Sequence, residues 1–170
     1  MDSTSFQLPS SYFEIYKGFG GGGSEAGVKI QLEYELFSGE FLGITADYAT
    51  SNDAKYGLER TKTLQAGDLV LRDLGYHHIG DFERISLHEA YYISRIRWNT
   101  QVYQKGEDGK WILLHIKALT KNLQEGETLE LPEVYIGLTY KHRTRLILYR
   151  LKKNEWDKRL ADHKRFCCKV

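Results

Sequence analysis

The acid best placed to do chemistry in this sequence stands at the end of a short apolar run. Asp73 follows the run at 69–72 and precedes a turn signal at 74–76. A carboxylate at the end of a buried strand is costly unless it is paired or coordinates a metal ion. An Asp can equally cap the turn that follows it, and the residues alone leave both interpretations open. Asp2 is a second acid at a predicted strand edge, and taken by itself it indicates only a terminal residue.

Basic side chains are concentrated in the second half of the chain. The net charge is only +1, but residues 1–85 carry 7 Lys or Arg against 13 Asp or Glu, and residues 86–170 carry 17 against 10. Arg143 and Arg145 are two residues apart and therefore point to one face of a strand. The stretch continues with Arg150, Lys152 and Lys153. It could contact a phosphate backbone, or be a solvated strand edge that charge protects from aggregation.

Several other functions find no support in the sequence. The glycine-rich stretch 18–27 lacks the Gly-Lys-Ser/Thr of a phosphate loop and precedes a strand, so a flexible connection is expected. Cys167 and Cys168 are adjacent, without metal-ligand spacing, which favours a reducing compartment and a cytoplasmic location. No apolar run approaches the roughly 20 residues of a membrane span, and no secretory signal pattern opens the chain. No membrane partner is expected.

Periodicity predicts alternating strands and helices in residues 1–98. An alternation of apolar and polar residues predicts a hairpin over 27–48. The apolar run at 68–73 predicts a central strand that is buried on both faces. The predicted order is strand 3–8, the hairpin with its turn at Ser38-Gly39, helix 54–62, strand 68–73, helix 79–89 and strand 90–96.

Beyond a predicted boundary at residues 97–100, the pattern becomes rich in strands. We expect strands at 101–105, 110–117, 128–131, 134–140 and 143–151, a helical turn at 119–124, and a basic helix capped by Asn154 that runs to about Arg165. The sequence thus predicts two domains, at residues 1–98 and 99–170, and a mixed α/β (α+β) fold.

Six stretches of this chain resemble, in order, the DDE transposases of one large bacterial insertion-sequence family. They read DSTSFQLP, KIQLEYELFSGEFL, SNDAKYG, GDLVLRDLGY, AYYISRIRWNTQVY and VYIGLTYKHRTRLILYRL. The likeness extends to about residue 165. It implies an incomplete RNase H-like mixed sheet with flanking helices in residues 1–98. It also implies a β-rich insertion with a basic C-terminal helix in residues 99–170.

The resemblance also implies a catalytic site. By motif, Asp2 is the acid of the first strand and Asp73 that of the fourth, and together they would hold Mg²⁺ or Mn²⁺. Two such ions about 4 Å apart can activate the attacking oxygen and stabilise the leaving oxygen of a phosphodiester displacement. The implied reaction is cleavage at transposon ends followed by transfer to target DNA. The DNA partner implied by the family makes the basic residues Arg143, Arg145, Arg150, Lys152 and Lys153 the candidates for contact with its backbone.

Two features of the family are missing from this sequence. The third carboxylate, a Glu in a Tyr-x2-Arg-x3-Glu-x6-Lys pattern, does not occur, and neither does the region that binds transposon ends. We therefore expect a truncated catalytic fragment that is inactive alone. One alternative is a non-catalytic protein derived from a transposase that binds DNA or dimerises, in which case its partner would be a second copy of the chain. Another is a small nuclease whose third carboxylate is Glu33 or Glu35.

Aromatic and histidine side chains offer weaker signals. Trp98, Tyr103 and Trp111 could stack on a displaced base, although packing within a sheet is the more common role. His77 and His78 follow the Asp73 turn and could support the site, but surface positions are expected for both. Lys29 and Arg95 are further, weaker candidates for contacts with DNA.

Overall fold

The structure, a computed structural model, describes residues 1–20 and 24–167, with side chains described up to residue 161. The chain forms two compact units, one comprising Met1–Trp98 and the other beginning at Asn99. The centre of the glycine-rich stretch, residues 21–23, and Cys168 lie outside the described residues, so the expectations for them stay untested. Within the described part, no helix has the length and apolar character needed to cross a membrane.

The first unit begins with a three-stranded antiparallel sheet. Its strands are β1 (Asp2–Leu8), β2 (Ala26–Tyr34) and β3 (Phe41–Tyr48), with β2 in the centre. The predicted hairpin is confirmed, and Gly39 in its turn has a φ of 76°, a conformation that glycine adopts without steric cost. In the register, Asp2 pairs with Leu32 and Ser3 pairs with Gln31.

Helix α1 (Asp53–Arg60) covers the polar face of this sheet rather than its apolar face. Asn52 caps the helix by accepting a hydrogen bond from the Ala54 N–H. On the covered face Lys29 and Gln31 are 8% and 1% exposed. The larger apolar side chains of β2, those of Val28, Ile30 and Leu32, lie on the opposite face and are only half-buried. The alternation correctly predicted the strand, but its apolar residues do not face the helix.

The rest of this unit is a β-α-β segment. Strand β4 (Leu69–Arg72) pairs in parallel with β5 (Tyr91–Ser94), and α2 (Ile79–Leu87) connects them. Phe82 of α2 is 2% exposed and stacks on Tyr92 at 4.4 Å between ring centroids. The expectation that β4 is buried on both faces is wrong, because Leu69 and Leu71 are 56% and 40% exposed.

The second unit is a four-stranded antiparallel sheet in the order β7-β6-β8-β9. Its elements are β6 (Val102–Lys105), β7 (Trp111–Leu113), α3 (Ile116–Leu119), β8 (Thr128–Ile136), β9 (His142–Tyr149) and α4 (Lys153–Cys167). The two strands predicted over 128–140 are one strand, whose register shifts between Leu131 and Val134. The intervening Pro132 lacks an N–H for the ladder, which is consistent with a bulge there.

Both units are mixtures of helices and strands, so the predicted α+β class is confirmed. The architecture is consistent with an RNase H-like fold in which two short sheets and two flanking helices make up the first unit. The predicted order of strand, hairpin, helix, strand, helix and strand in residues 1–98 is the order observed.

Candidate metal site and nucleic-acid surface

The structure brings the start of β1 beside β4. The amino group of Met1 donates a hydrogen bond to the carbonyl oxygen of Leu71 at 3.1 Å. Asp2 follows Met1 directly, and Asp73 lies two residues beyond Leu71. The two acids that the resemblance selected, 71 residues apart in sequence, therefore occupy neighbouring strand ends.

Both acids also lie on the same side of their strands. Side chains alternate along a strand, and Gln31, the partner of Ser3, faces α1 through its bond to Asp53. Asp2 is therefore on the side that faces away from α1. On β4, Arg72 reaches the carbonyl of Gly57 in α1, so Leu71 and Asp73 point the other way. Both carboxylates thus point away from the side that α1 covers.

Asp73 caps the turn that follows it and pairs with a cation. Its carboxylate accepts a hydrogen bond from the Leu74 N–H at the start of a 3₁₀ turn, Leu74–Tyr76. Arg95 Nη2 lies 2.5 Å from Asp73 Oδ1. The Arg95 hydrogen bond, together with the Leu74 N–H, holds the pKa of Asp73 below its usual value. The side chain is 53% exposed, so an ion from solvent can still reach it.

The donor set fits a hard divalent cation only in part. Two exposed carboxylates at adjacent strand ends supply the oxygen ligands that Mg²⁺ and Mn²⁺ prefer, with water completing the shell. In the described part of the chain, no group of three or more His, Cys, Asp or Glu side chains could hold a metal ion. Asp2 and Asp73 are two carboxylates and therefore do not make up such a group by themselves.

Neither local candidate for a third carboxylate is available. Glu33 pairs with Arg60 on the α1 side of the sheet, opposite to the side of Asp2. Glu35 accepts hydrogen bonds from the N–H groups of Ser38 and Phe37 in the hairpin turn. These bonds, that of Ser38 first, lower the pKa of Glu35. The geometry thus gives no support to a nuclease that recruits either residue.

A buried ion pair behind Asp73 was missed from the sequence. Arg72 Nη1 lies 3.1 Å from Asp81 Oδ2, and both side chains are 0% exposed. Arg72 also donates to the Gly57 carbonyl at 2.8 Å, so it joins β4 to both α1 and α2. The sequence offered one signal for this ion pair. Arg72 stands inside an otherwise apolar strand, nine residues before Asp81 in the first turn of a helix.

The weaker candidates near this site prove to be structural. His77 is 7% exposed and contacts the Phe82 ring edge-on, so the expected surface position is wrong. Burial lowers the pKa of His77. His78 is exposed, as expected, and its Nδ1 lies 3.1 Å from Asp81. Lys29 is buried against Asp53 and is not free to meet DNA.

Four of the five predicted DNA-contacting residues fall into two groups. Arg143 and Arg145 share the exposed face of β9, but each pairs with a glutamate of β8, Glu133 and Glu130 respectively. By contrast, the Lys152 and Lys153 side chains are exposed and form no ion pair among the described side chains.

Arg150 belongs with neither group, because it donates a hydrogen bond to the carbonyl of Leu123.

Helix α4 begins at Lys153, one residue before the predicted cap, Asn154. The backbone N–H of Lys152 is bound by Glu155 at 3.1 Å and that of Lys153 by Glu125 at 3.0 Å.

Two of the three aromatic candidates take part in packing. Trp111 meets the Tyr135 ring edge-on at 4.8 Å between centroids, and Tyr103 lies under the ammonium group of Lys141 at 3.9 Å. Trp98 is 96% exposed, so packing does not account for it.

The first unit is thus an α+β domain, consistent with an RNase H-like core, in which acids lie at the start of β1 and just after β4. A family model described as a transposase DDE domain matches residues 1–165. The chain belongs to this family of insertion-sequence transposases.

Curated relatives agree with that assignment. The transposase for insertion sequence element IS231B of Bacillus thuringiensis subsp. berliner is 38% identical, over 94% of this chain and 36% of the relative. The IS231F transposase of Bacillus thuringiensis subsp. israelensis gives the same three figures. The IS1151 transposase of Clostridium perfringens is 33% identical, over 95% of this chain and 37% of the relative. This chain spans little more than a third of these relatives' length. No solved structure gives a significant match.

Proposed function

We propose that this chain is a piece of a DNA transposase catalytic domain in which Asp2 and Asp73 bind a divalent cation. The observation that carries the proposal is the hydrogen bond between Met1 and Leu71, which aligns the start of β1 with β4. The alternation of the two strands then directs both carboxylates to the open side. The family supplies the reaction class, which is cleavage and transfer of DNA strands.

The chain's own residues would prepare the site for this reaction. The carboxylates of Asp2 and Asp73 would bind one Mg²⁺ or Mn²⁺, which would supply one of the two ions of a metal-assisted phosphodiester displacement. Arg95 lowers the pKa of Asp73, because its hydrogen bond and then its positive charge favour the carboxylate form. The buried pair of Arg72 and Asp81 fixes the strand end from which Asp73 projects.

We propose further that the chain alone does not cleave DNA. A symmetric clamp on the attacking and leaving oxygens requires two ions. The described residues offer ligands for one ion at this edge, and Glu33 and Glu35 are engaged elsewhere. The transposon ends and target DNA would be the partners of the longer proteins that this chain resembles.

A second candidate function is non-catalytic association with DNA or with another copy of the chain. The open side of β4 and β5 exposes a row of apolar side chains between 40% and 66% exposed: Leu69, Leu71, Tyr91 and Ile93. Exposed apolar patches of this kind commonly mark interaction sites. The Lys152 and Lys153 side chains, exposed and without an ion pair among the described side chains, favour contact with an anionic backbone.

Titration of the chain with Mn²⁺, followed by electron paramagnetic resonance of the free ion, tests the first proposal. We expect one bound ion in the wild-type chain and loss of that binding in Asp2→Asn and in Asp73→Asn. Asp68→Asn, an exposed acid before β4, should leave binding intact. Binding that survives both substitutions would remove the metal site from this pair.

A plasmid-nicking assay in Mn²⁺ tests the claim of inactivity. We expect no cleavage by the wild-type chain. Metal-dependent nicking that disappears in Asp73→Asn would show instead that a complete catalytic centre exists.

A further inference from the structure

A chain of buried hydrogen bonds runs beneath the candidate metal site. Tyr76 and Gln31 are each 1% exposed, and the Tyr76 hydroxyl donates to Gln31 Oε1 at 2.5 Å. Gln31 Nε2 in turn donates to Asp53 Oδ1 at 2.7 Å. Lys29 Nζ lies 3.1 Å from the same oxygen and also donates to the Ser51 carbonyl at 2.6 Å.

This chain of bonds joins the backbone segments that carry the two acids. Gln31 is the register partner of Ser3, the residue after Asp2. Tyr76 ends the 3₁₀ turn that Asp73 caps, and its N–H donates to the Asp73 carbonyl at 3.1 Å. The contact between Tyr76 and Gln31 therefore fastens the Asp73 turn to the β1–β2 ladder at the level of Asp2.

The surroundings of β1 also affect the pKa of the Tyr76 phenol. Burial raises the pKa of Tyr76 to about 12, and a hydrogen bond with the Ser3 side chain acts in the opposite direction. The negative charges of Asp53 and Asp2 add to the increase. The hydroxyl consequently keeps its proton at neutral pH and remains a donor to Gln31.

Packing alone does not require these polar groups. A Phe at position 76 with an apolar side chain at position 31 would fill the same space, without desolvating a phenol and an amide. Hydrogen bonds, unlike apolar contacts, fix a direction as well as a distance. Helix α1 approaches closely here, since a Cβ on Gly57 would lie 3.2 Å from the Tyr76 ring.

We propose that Tyr76 is a positioning residue for the Asp2–Asp73 pair. Its bond to Gln31 holds the turn that begins at Asp73 against β1–β2, and thereby sets the separation of the two carboxylates. The role of those carboxylates as metal ligands rests on the proposed function, whereas the fastening of the turn does not.

Two measurements on Tyr76→Phe test this proposal. The first is amide hydrogen exchange in the absence of metal. We expect the backbone amides of residues 74 and 76 to exchange about ten-fold faster than in the wild type, because the turn opens more often. The second is Mn²⁺ affinity, which we expect to fall about ten-fold, as is usual when a group supporting a metal ligand is lost.

Two further variants separate positioning from a general loss of stability. Phe82→Leu weakens the core at α2 without touching the hydrogen bonds of Tyr76, and it should keep its Mn²⁺ affinity. The double variant Tyr76→Phe with Gln31→Met removes the amide oxygen that Tyr76→Phe leaves without a donor, and should regain stability. It should not regain the Mn²⁺ affinity, because the fastening bond is still absent.

The outcomes separate this proposal from the proposed function. Unchanged exchange at the turn amides of Tyr76→Phe overturns the positioning role, whatever the metal does. Where the wild type binds Mn²⁺ through Asp2 and Asp73, an unchanged affinity in Tyr76→Phe overturns it as well. If the wild type binds no ion at this pair, the metal site fails, and faster exchange in Tyr76→Phe still supports the fastening role.

Discussion

Arg95 and Asp73 form an ion pair at the open edge of the β4–β5 sheet, with Nη2 at 2.5 Å from Oδ1. The pair joins the ends of two parallel strands, since Arg95 follows β5 and Asp73 follows β4. Arg95 thus keeps the carboxylate ionised but also competes with any cation for the same oxygen. Side chains that are 70% and 53% exposed can separate at small cost, so the pair does not block the site.

The first prediction concerns this competition. Arg95→Met should raise the affinity for Mn²⁺ by about three- to ten-fold, because a positive charge beside the ion is removed. The pKa of Asp73 should rise towards its ordinary value, since the hydrogen bond from Arg95 is the main cause of its decrease. Calorimetric Mn²⁺ titration near neutral pH measures the first effect, and carboxyl NMR shifts against pH measure the second.

Arg84→Met, on the exposed surface of α2, is the matched control because it removes the same charge away from Asp73. If Arg95→Met binds Mn²⁺ more weakly than Arg84→Met does, Arg95 supports the ion rather than competing with it.

The second prediction concerns the pair behind the site. Asp81→Asn should lower the free energy of unfolding by about 3–5 kcal/mol, because it leaves Arg72 buried without its counter-charge. Denaturant unfolding measures this loss. Glu83→Gln, on the exposed surface of the same helix, should change stability by no more than about 0.5 kcal/mol. Equal effects of the two substitutions would mean that Arg72 finds water or another acceptor.

The sequence predicted the elements of this unit better than the environment of their side chains. Local periodicity and capping signals place β2, β3, α1 and α2, because backbone conformation depends on near neighbours. The polar covered face of β2 was not predictable, because Lys29 and Gln31 are satisfied by Asp53, which is more than 20 residues away. The exposure of Leu69 and Leu71 could not be predicted for the same reason, because it depends on which segments of the chain cover β4.

Prediction of the site depended on the resemblance. Asp73 could be singled out from its position after an apolar run, whereas nothing local distinguished Asp2. The contact of Met1 with Leu71 supplies what the sequence lacked, namely that β1 starts beside β4. The ion pairs of Arg143 and Arg145 depend on the β8–β9 register, which the sequence alone did not predict either.

The third prediction concerns alkaline pH. Tyr76 has a pKa of about 12 in the folded chain, above the ordinary value of 10.0. A group whose folded pKa is raised stabilises the fold fully below its unfolded pKa, and that contribution is lost as pH rises towards the folded value. The stability that depends on Tyr76 should therefore decline between pH 10 and 12.

Denaturant unfolding across this range provides the test. Tyr76→Phe should be less stable than the wild type at pH 8, and the difference between them should shrink as pH approaches 12. Tyr91→Phe, which removes the hydroxyl of an exposed tyrosine of β5, serves as the control. If the difference in unfolding free energy between the wild type and Tyr76→Phe stays constant from pH 8 to 12, the phenol at position 76 is not the titrating group.

The fourth prediction separates the two groups of basic residues in the second unit. Replacing Lys152 and Lys153 together by Ala should weaken binding to duplex DNA about ten-fold. It should also reduce the slope of log affinity against log salt by about 2, because each contacted phosphate contributes about one. Both side chains are exposed without ion pairs among the described side chains, so a phosphate meets no internal competitor.

The double replacement of Arg143 and Arg145 by Ala removes the same charge and serves as the control. Because Glu133 and Glu130 already neutralise these side chains, the loss of affinity and the change in slope should both be smaller. Fluorescence anisotropy with a labelled duplex at several salt concentrations measures all of these quantities. If the arginine variant loses more affinity than the lysine variant, DNA breaks the β8–β9 ion pairs on binding, and the contact surface is β9 rather than the start of α4.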